Sequence, residues 1–572
     1  MPAPPAWTLG EYVHTGYWWK NRGILILNLL LILPLLTASI NGLDSSLVNG
    51  LQLLPSWQEY YNYPDGKTLG LINSAQNIGA LGGLPFTPFV SDRFGRRCAL
   101  FLGAFIMLCG IITQLLATSA TVFISARVII GIGLSFSVNA APLLITELAY
   151  PTQRGKLTSL FNTAWYGGSV VSAWTCFAAY TREGSSDWSW RVPTMVQAAG
   201  PILQMGLIWF VPESPRFLVA QGMESKAVKT LAKYHANGGD EHDPLIVFEM
   251  AQIRHALKLE KEIKENSTFW QLWTRPGNLK RLRIIIAIAM FSQWSGNGLV
   301  SYYMNLVLNS VGITSTVTKT AINGGLQIWN LVCAMTGAFL VDRIGRRPLF
   351  IASTVGMFIV FCMWTLTTAL VITTDNKAAA KATVPIIFAF YTCYDICFTP
   401  LIVSYTLEIL PYSIRAKGFA IMNFVLCVTQ AFNQFVNPLA LDAISWKFYL
   451  FYCGWLLVEI VFVLRYIVET RGRTLEETAA LFDGEKPEMD MVMAGGQAAT
   501  MVSVNLNHSK SGIPMALITQ KSGEWGPEEW IEHGIRQNYA SSSIYDGYGT
   551  GPSTDSRRQS QESDIAIAGV AF

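Results

Sequence analysis

The chain has 572 residues, of which 51% are hydrophobic and only 14% charged, against roughly 25% charge in an average soluble domain. Its 41 lysines and arginines nearly balance 38 aspartates and glutamates, and the resulting +3 is too even for a nucleic-acid binder. Eighteen tryptophans and 30 phenylalanines exclude a disordered chain, and the shortage of charge points to a polytopic membrane protein rather than a large soluble enzyme.

Apolar stretches of about 20 residues, each able to cross roughly 30 Å of hydrocarbon as a helix, recur along the chain. Twelve helices are predicted, at 24–43, 69–91, 98–117, 122–146, 157–180, 193–211, 282–308, 320–341, 349–372, 384–409, 417–440 and 446–468. Lys20 and Arg22 precede the first as in a signal peptide, but its length and the eleven spans behind it favour a retained helix. Between the sixth and seventh, Lys226, Lys229, Lys233, Arg254, Lys258, Lys261 and Lys264 alternate with Ala and Leu, as in short amphipathic surface helices. After about Gly472 the chain is rich in Ser, Gly, Asn and Gln and reads as a mostly disordered tail. The nine cysteines form no CxxC pair and behave as small hydrophobes, so neither disulfides nor a zinc site is expected. Trp18, Trp19, Trp188 and Trp190 are expected at membrane interfaces.

Basic residues set the orientation. Lys20/Arg22, Arg93/Arg96/Arg97, Arg154/Lys156, Arg343/Arg346/Arg347 and Arg415/Lys417 fall on one side, which is therefore expected to be cytoplasmic, together with both termini. The alternate loops hold fewer, chiefly Lys67, Arg182, Arg191, Lys319, Lys377 and Lys381. The sequons at Asn266 and Asn507 should then be unglycosylated. The expected organisation is a cytoplasmic segment 1–22, a six-helix half 23–211, a cytoplasmic helical segment 212–281, a second half 282–468 and a cytoplasmic tail 469–572.

An internal repeat supports two halves. Ser91-Asp-Arg-Phe-Gly-Arg-Arg97 returns as Val341-Asp-Arg-Ile-Gly-Arg-Arg347, 250 positions later. Glu147, Arg154 and Lys156 return with identical spacing as Glu408, Arg415 and Lys417, 261 positions later, and Pro212-Glu-Ser-Pro-Arg216 is echoed by Val468-Glu-Thr-Arg471. The fold class is therefore an all-α membrane protein of twelve transmembrane helices in two homologous six-helix halves, with a substrate site between them near the midplane.

These pieces, with Arg127 before Gly131-Ile-Gly133, Pro212-Glu-Ser-Pro-Arg-Phe-Leu218 and Glu469-Thr-Arg-Gly-Arg-Thr-Leu-Glu476, resemble the sugar porters of the major facilitator superfamily over about 450 residues. Asn41-Gly-Leu-Asp-Ser-Ser-Leu-Val-Asn-Gly-Leu-Gln52 and Gln293-Trp-Ser-Gly-Asn-Gly298 look most like the fungal lactose-permease-like and hexose-transporter-like branch. The resemblance implies alternating access and no enzymatic chemistry. It implies a cytoplasmic latch from Asp92, Arg93, Arg96, Arg97, Glu147, Arg154, Glu213, Arg216, Asp342, Arg343, Arg346, Arg347, Glu408, Arg415 and Glu469. Physically, a Gly turn lets arginines meet carboxylates at neighbouring helix ends, and such a latch is expected to lock the two halves together and to break on inward opening.

A charge inside hydrocarbon costs at least a few kcal/mol unless paired or hydrated. Asp44, at the outer end of the first predicted span, and Arg127, early in the fourth, match positions that carry an acid and an arginine in proton-coupled sugar porters. Some sugar facilitators have an acid near the Asp395 position, and Glu459 either faces the bundle or snorkels toward the interface.

Sugars are recognised by amides and aromatic faces. The candidates are Asn162, Gln293, Asn297, Asn323, Gln327, Asn423, Gln430 and Asn433, with Trp294 and Trp329 nearby. By resemblance, Asn162 stands where the family often has glutamine, and Gln293 is the second glutamine of a pair whose first is Ser292 here. Gly298 replaces the usual asparagine and Val403 the usual tryptophan, losses of bulk that make room for a second sugar ring.

With no nucleotide loop and no metal-ligand cluster, an ATP-driven pump is excluded and no cofactor is expected beyond a coupling proton. The expected partners are a small-molecule sugar, the proton and the lipid bilayer, with no nucleic acid and no ATP. The expected function is a proton-coupled symporter of a disaccharide such as lactose or cellobiose, or of a hexose, in the plasma membrane. The alternatives are a non-transporting sensor signalling through a tail with serines at 541–543, 556 and 560, or a carrier of a polyol, cyclic acid or secondary metabolite.

Overall fold

A computed structural model describes residues 17–237, 239, 241, 243, 245–247, 249–254, 257–258, 271–374, 376–410, 412–471 and 482. They belong to the first of two units into which the chain divides, Met1–Val492. Asn266, Asn507, Lys261, Lys264, Glu476 and the tail serines lie outside the described residues, as do the side chains of Lys156, Asp342 and Arg415.

Twelve helical spans follow one another, with no strand among the described residues. The first half comprises Arg22–Gln52, Gly66–Gly83 continued by Thr87–Phe94, Arg96–Leu115, Ala120–Leu148, Arg154–Glu183 and Trp188–Leu207. The second comprises Pro276–Trp294 continued by Asn297–Ser310, Thr316–Ile344, Arg346–Thr374, Lys377–Asp395 continued by Phe398–Ile409, Tyr412–Ile444 and Lys447–Tyr466. Side-chain caps fix several starts: the side-chain oxygens of Asn21, Asp65, Ser119, Ser315 and Asn376 accept from backbone N–H groups of the first turn.

Nine spans among the described residues are long and apolar enough to cross a membrane by composition alone. The second, fifth and sixth fall short because they carry polar groups such as Asn73, Gln76 and Asn77, Ser169 and Ser172, and Gln197 and Gln204. Most of these side chains are buried, so other spans shield them from lipid. The same reasoning explains why the first span outruns its predicted end at 43. Asp44, Ser46, Asn49 and Gln52 depress its hydropathy, but all four are buried against protein, and the helix continues to Gln52.

Within each half the third span packs on the fourth and the ninth on the tenth, while the first–seventh, second–eleventh and fifth–eighth pairs join the halves. We call the end carrying the two Gly-Arg-Arg turns the arginine end. At the opposite end an apolar cluster closes across the halves: Leu47, Leu51, Trp57, Phe123 and Trp190 pack with Tyr302 and Tyr303. Trp18, Trp19 and Trp188 are exposed, but Trp190 is fully buried in this cluster, contrary to its expected interfacial place. Two residues along a helix is about 200°, so Trp188 and Trp190 cannot face the same surroundings.

Candidate functional site

The arginine end repeats one construction twice. Gly95 and Gly345, at φ +96° and +104°, take a backbone conformation that L side chains avoid, and they turn the chain into the third and ninth spans. The following arginine then grips a glutamate from the next span. Arg96 reaches Glu147 with Nε–Oε2 at 3.1 Å and Nη2–Oε1 at 3.3 Å. Arg346 reaches Glu408 at 3.2 and 2.9 Å. A second glutamate caps the new helix: Glu213 accepts from the N–H groups of Arg96 and Arg97, and Glu469 from those of Arg346 and Arg347. Arg97 also donates to the Val211 carbonyl and Arg347 to that of Leu464. Asp92 approaches Arg96 at 3.3 Å, while Asp92, Arg93 and Arg343 are exposed and Arg216 is half-buried.

These networks differ from the expected latch in one respect. Among the described residues, the ion pairs with both partners described lie within one half or its adjoining central segment. Contacts between the halves are formed at the opposite end and along the middle of the bundle.

Burial pushes the Glu213 carboxyl up from its ordinary range, against the backbone donors of Ser214, Arg97 and Arg96 and the charge of Arg97. Burial acts the same way on Glu469, but the N–H groups of Arg346, Arg471, Arg347 and Thr470 outweigh it and hold this carboxyl low.

Deeper in the first half, Asp44 is fully buried and neither carboxylate oxygen has a hydrogen-bond partner. Arg127 is beside it without forming an ion pair: its Nη1 donates to the Asp44 backbone carbonyl at 3.2 Å and its Nη2 to Gln76 Oε1.

The amide candidates gather where the halves meet. Asn323 accepts from Asn49 of the first span at 3.4 Å, and Gln327 donates to Asn323 at 3.5 Å. Gln430 donates to Tyr302 Oη at 2.7 Å. The break in the seventh span at Gly296, φ +99°, frees carbonyls that other candidates satisfy. Asn433 donates to the Gln293 carbonyl at 2.6 Å, Asn297 and Tyr394 to that of Ser292 at 3.2 and 2.7 Å, and Tyr391 to that of Asn297 at 2.6 Å. Gln293 Nε2 approaches Ser292 Oγ at 3.4 Å. Asn162 and Asn423 are half-buried.

The two tryptophans sit apart from this cluster. Trp294 packs on Trp455 and Phe432 and donates to the Thr429 carbonyl. Trp329 is 44% exposed on the outer face beside Phe388, because it lies about 200° around the helix from Gln327.

Asn49, Asn77, Tyr166 and Asn330 escaped the sequence reading, and Asp395 was noted there without partners. Asn49 bridges the halves, also accepting from the Met304 N–H at 3.2 Å, and Asn77 donates to Gln434 at 2.6 Å. Asp395, at the break in the tenth span, accepts from Tyr166 of the first half at 2.5 Å and from Thr399 at 2.9 Å. Asn330, its amide nitrogen turned inward, donates to the other Asp395 oxygen at 3.3 Å. The 323/327/330 and 430/433/434/437 spacings on single helix faces were the available signals. Glu459 faces the bundle, fully buried and without a hydrogen-bond partner.

Two repeated six-helix halves meeting on an amide-rich seam, with broken helices at the seam, define a membrane transporter of the major facilitator type. The profile of the family described as "Sugar (and other) transporter" matches residues 30–482, and the chain belongs to that family. It is 28% identical over 454 residues to the MFS-type transporter oryC of Aspergillus oryzae, covering 77% of this chain and 82% of that one. It is 26% identical over 462 residues to a high-affinity glucose transporter of Kluyveromyces lactis, covering 76% and 81%. A high glucose sensor of Saccharomyces cerevisiae is 28% identical over 458 residues, with 77% of this chain and 58% of the sensor covered. The fold matches the partially occluded inward-open xylose transporter XylE from E. coli with a TM-score of 0.65 at 22% identity, over 78% of this chain and 99% of that one.

Proposed function

We propose that the chain is a proton-coupled sugar symporter working by alternating access, with Asp44 as the proton carrier. The observation that carries this reading is the buried, unpartnered Asp44 carboxylate next to a guanidinium engaged with Gln76 and a backbone carbonyl. An unpaired charge in that place costs a few kcal/mol. The carboxyl lowers its energy either by binding a proton or by meeting Arg127, and exchange between those two states links proton movement to rocking. A solved relative of the fold is a proton:xylose symporter bound to 6-bromo-6-deoxy-D-glucose, which supports both cargo and coupling.

The sugar, a disaccharide such as lactose or cellobiose or a hexose, binds among Asn162, Gln293, Asn297, Asn323, Gln327, Asn423, Gln430 and Asn433. Asp395 and Asn49 join them as hydrogen-bond partners. The arginine end is the gate that moves, and it faces the cytoplasm with both termini, in the plasma membrane. The buried apolar cluster that joins the halves at the opposite end supports reading this conformation as the one open on that side. Replacing Asp44 by Asn in proteoliposomes should abolish uphill accumulation while leaving sugar exchange intact. Unchanged accumulation would sink the coupling.

The similarity to a glucose sensor favours one second reading, a non-transporting receptor that signals through its tail. Uptake of labelled disaccharide and hexose in a transporter-null cell separates the two, because a pure sensor gives none. Competition by a polyol, a cyclic acid or a secondary metabolite in the same assay tests the cargo.

A further inference from the structure

The central segment has a buried core of its own and touches the first half through contacts that the transport reading does not use. The helix Glu224–His235 packs its apolar side, Ala227 and Leu231, against Phe217 and Leu218 and against Ile246 and Met250 of the next helical stretch. His235 ends that helix, and its side chain is 2% exposed. Its Nδ1 lies 2.6 Å from Glu249 Oε2, and its Nε2 lies 3.1 Å from the Leu148 carbonyl. The other Glu249 oxygen accepts from Arg154 Nη2 at 3.2 Å.

Leu148 is the last residue of the fourth span and the direct neighbour of Glu147, which Arg96 grips. Its carbonyl is one of those left without a helical partner at a helix C-terminus, where a cation is favoured. The same junction holds the start of the first span, since the Gly23 N–H donates to Asn237 Oδ1 at 2.6 Å. The position of Glu147 is therefore set from two directions, by Arg96 in the membrane half and by His235 in the central segment.

We propose that His235 and Glu249 are positioning residues for the Glu147–Arg96 pair, and that the proton count of His235 sets how firmly the central segment holds the gate. Both ring nitrogens face oxygens that only accept, so the arrangement is complete when both nitrogens carry hydrogen. Loss of one proton turns a ring lone pair toward an oxygen and removes one of the two bonds. The tether is thus tight at lower pH and loosens as the pH on that side rises. The groups facing the ring are the Glu249 carboxylate, the Leu148 carbonyl, the Tyr150 ring edge-on at 5.3 Å and, across Glu249, the Arg154 guanidinium. The first span adds Ile24 to this packing beside Tyr150 and Leu245. In the second half Thr470, not a histidine, supports the equivalent Glu408, so the pH response belongs to one half only.

This inference rests on the reading of the arginine end as the moving gate, and its test uses the full chain in lipid nanodiscs. Hydrogen exchange of peptides covering 224–237 and 145–154 is measured at pH 6 and pH 8, with exchange times scaled for the intrinsic rate, alongside sugar counterflow. In the wild type, protection should fall about tenfold between the two values, the equivalent of one charge-assisted hydrogen bond. His235→Gln should be weakly protected and flat with pH. Glu249→Gln, which keeps the ring but removes its charged partner, should lose the pH response too and guards against misfolding of the first variant. Wild-type protection and pH dependence in either folded variant overturns the proposal. The expected protection pattern without counterflow would leave the tether standing and count against transport, whereas counterflow with no pH-dependent protection in the wild type would count against the tether alone.

Discussion

The two Gly-Arg-Arg turns are copies in geometry and not in energetics. In each, a left-handed glycine starts a span, an arginine grips a glutamate with two hydrogen bonds, and a second glutamate caps the new helix. In the first half the Arg96 and Glu147 side chains are 11% and 10% exposed, whereas Arg346 and Glu408 are 13% and 27% exposed. Glu408 also takes a 2.5 Å hydrogen bond from Thr470. The capping carboxyls diverge further, with Glu213 raised by burial and Glu469 held low by its backbone donors in spite of burial. The two turns share their contacts, and the chain that covers each sets how buried those contacts are. The first half is covered by the central segment, the second by the residues just after its last span.

The largest expected effect tests that difference in burial. Arg96→Ala leaves Glu147 buried and unpaired, which should cost about 3–5 kcal/mol. Arg346→Ala leaves a more exposed Glu408 that still holds Thr470, and should cost roughly half as much. Melting temperatures of the two purified variants give the ranking, and an equal drop would mean that exposure does not separate the turns. A smaller change sharpens the point: Thr470→Val removes the hydrogen bond peculiar to the second half and should cost about 1 kcal/mol. That loss should shrink when combined with Glu408→Gln, while additivity of the two would show that Thr470 acts elsewhere.

The contacts within each turn were legible in the sequence because the motifs that make them occur twice in the same order. Glycine before two arginines specifies the turn, and the repeated glutamates, 51 residues beyond Arg96 and 62 beyond Arg346, pointed to its partner. The placement of the halves was not legible, since the same arginines could as well have reached across the seam, and only packing at the opposite end decides this. The twelve spans came through from hydropathy, yet the end of the first did not: Asp44, Asn49 and Gln52 read as the edge of the membrane and are in fact shielded by other spans. The seam showed the same limit. Amides at helical spacing pointed to the eighth and eleventh spans, but Asn49, Asn77 and Tyr166 are revealed by their partners across the interface. Trp329 and Trp190 went astray for one reason, that composition does not say which way a side chain faces on a helix.

The smallest effect is the one whose sign the comparison fixes. A carboxyl held low in the folded state, as Glu469 is, adds stability that is present at neutral pH and is lost as the pH falls through its native value. A carboxyl raised by burial, as Glu213 is, behaves in the opposite way: its contribution is full at acid pH and is lost as the pH rises through its native value. Replacing each by glutamine removes the charge and retains the shape. Glu469→Gln should lower the melting temperature most at neutral pH, by an amount equivalent to about 0.5 kcal/mol for a helix N-terminal charge, with the deficit shrinking toward pH 4. Glu213→Gln should show its larger deficit at the acid end, because at neutral pH the substitution also relieves a buried charge. The two deficits plotted against pH should therefore slope in opposite directions. If both shrink on acidification, the Glu213 carboxylate is stabilised by its backbone donors more than burial opposes it, and the two turns are alike in energy as well as in form.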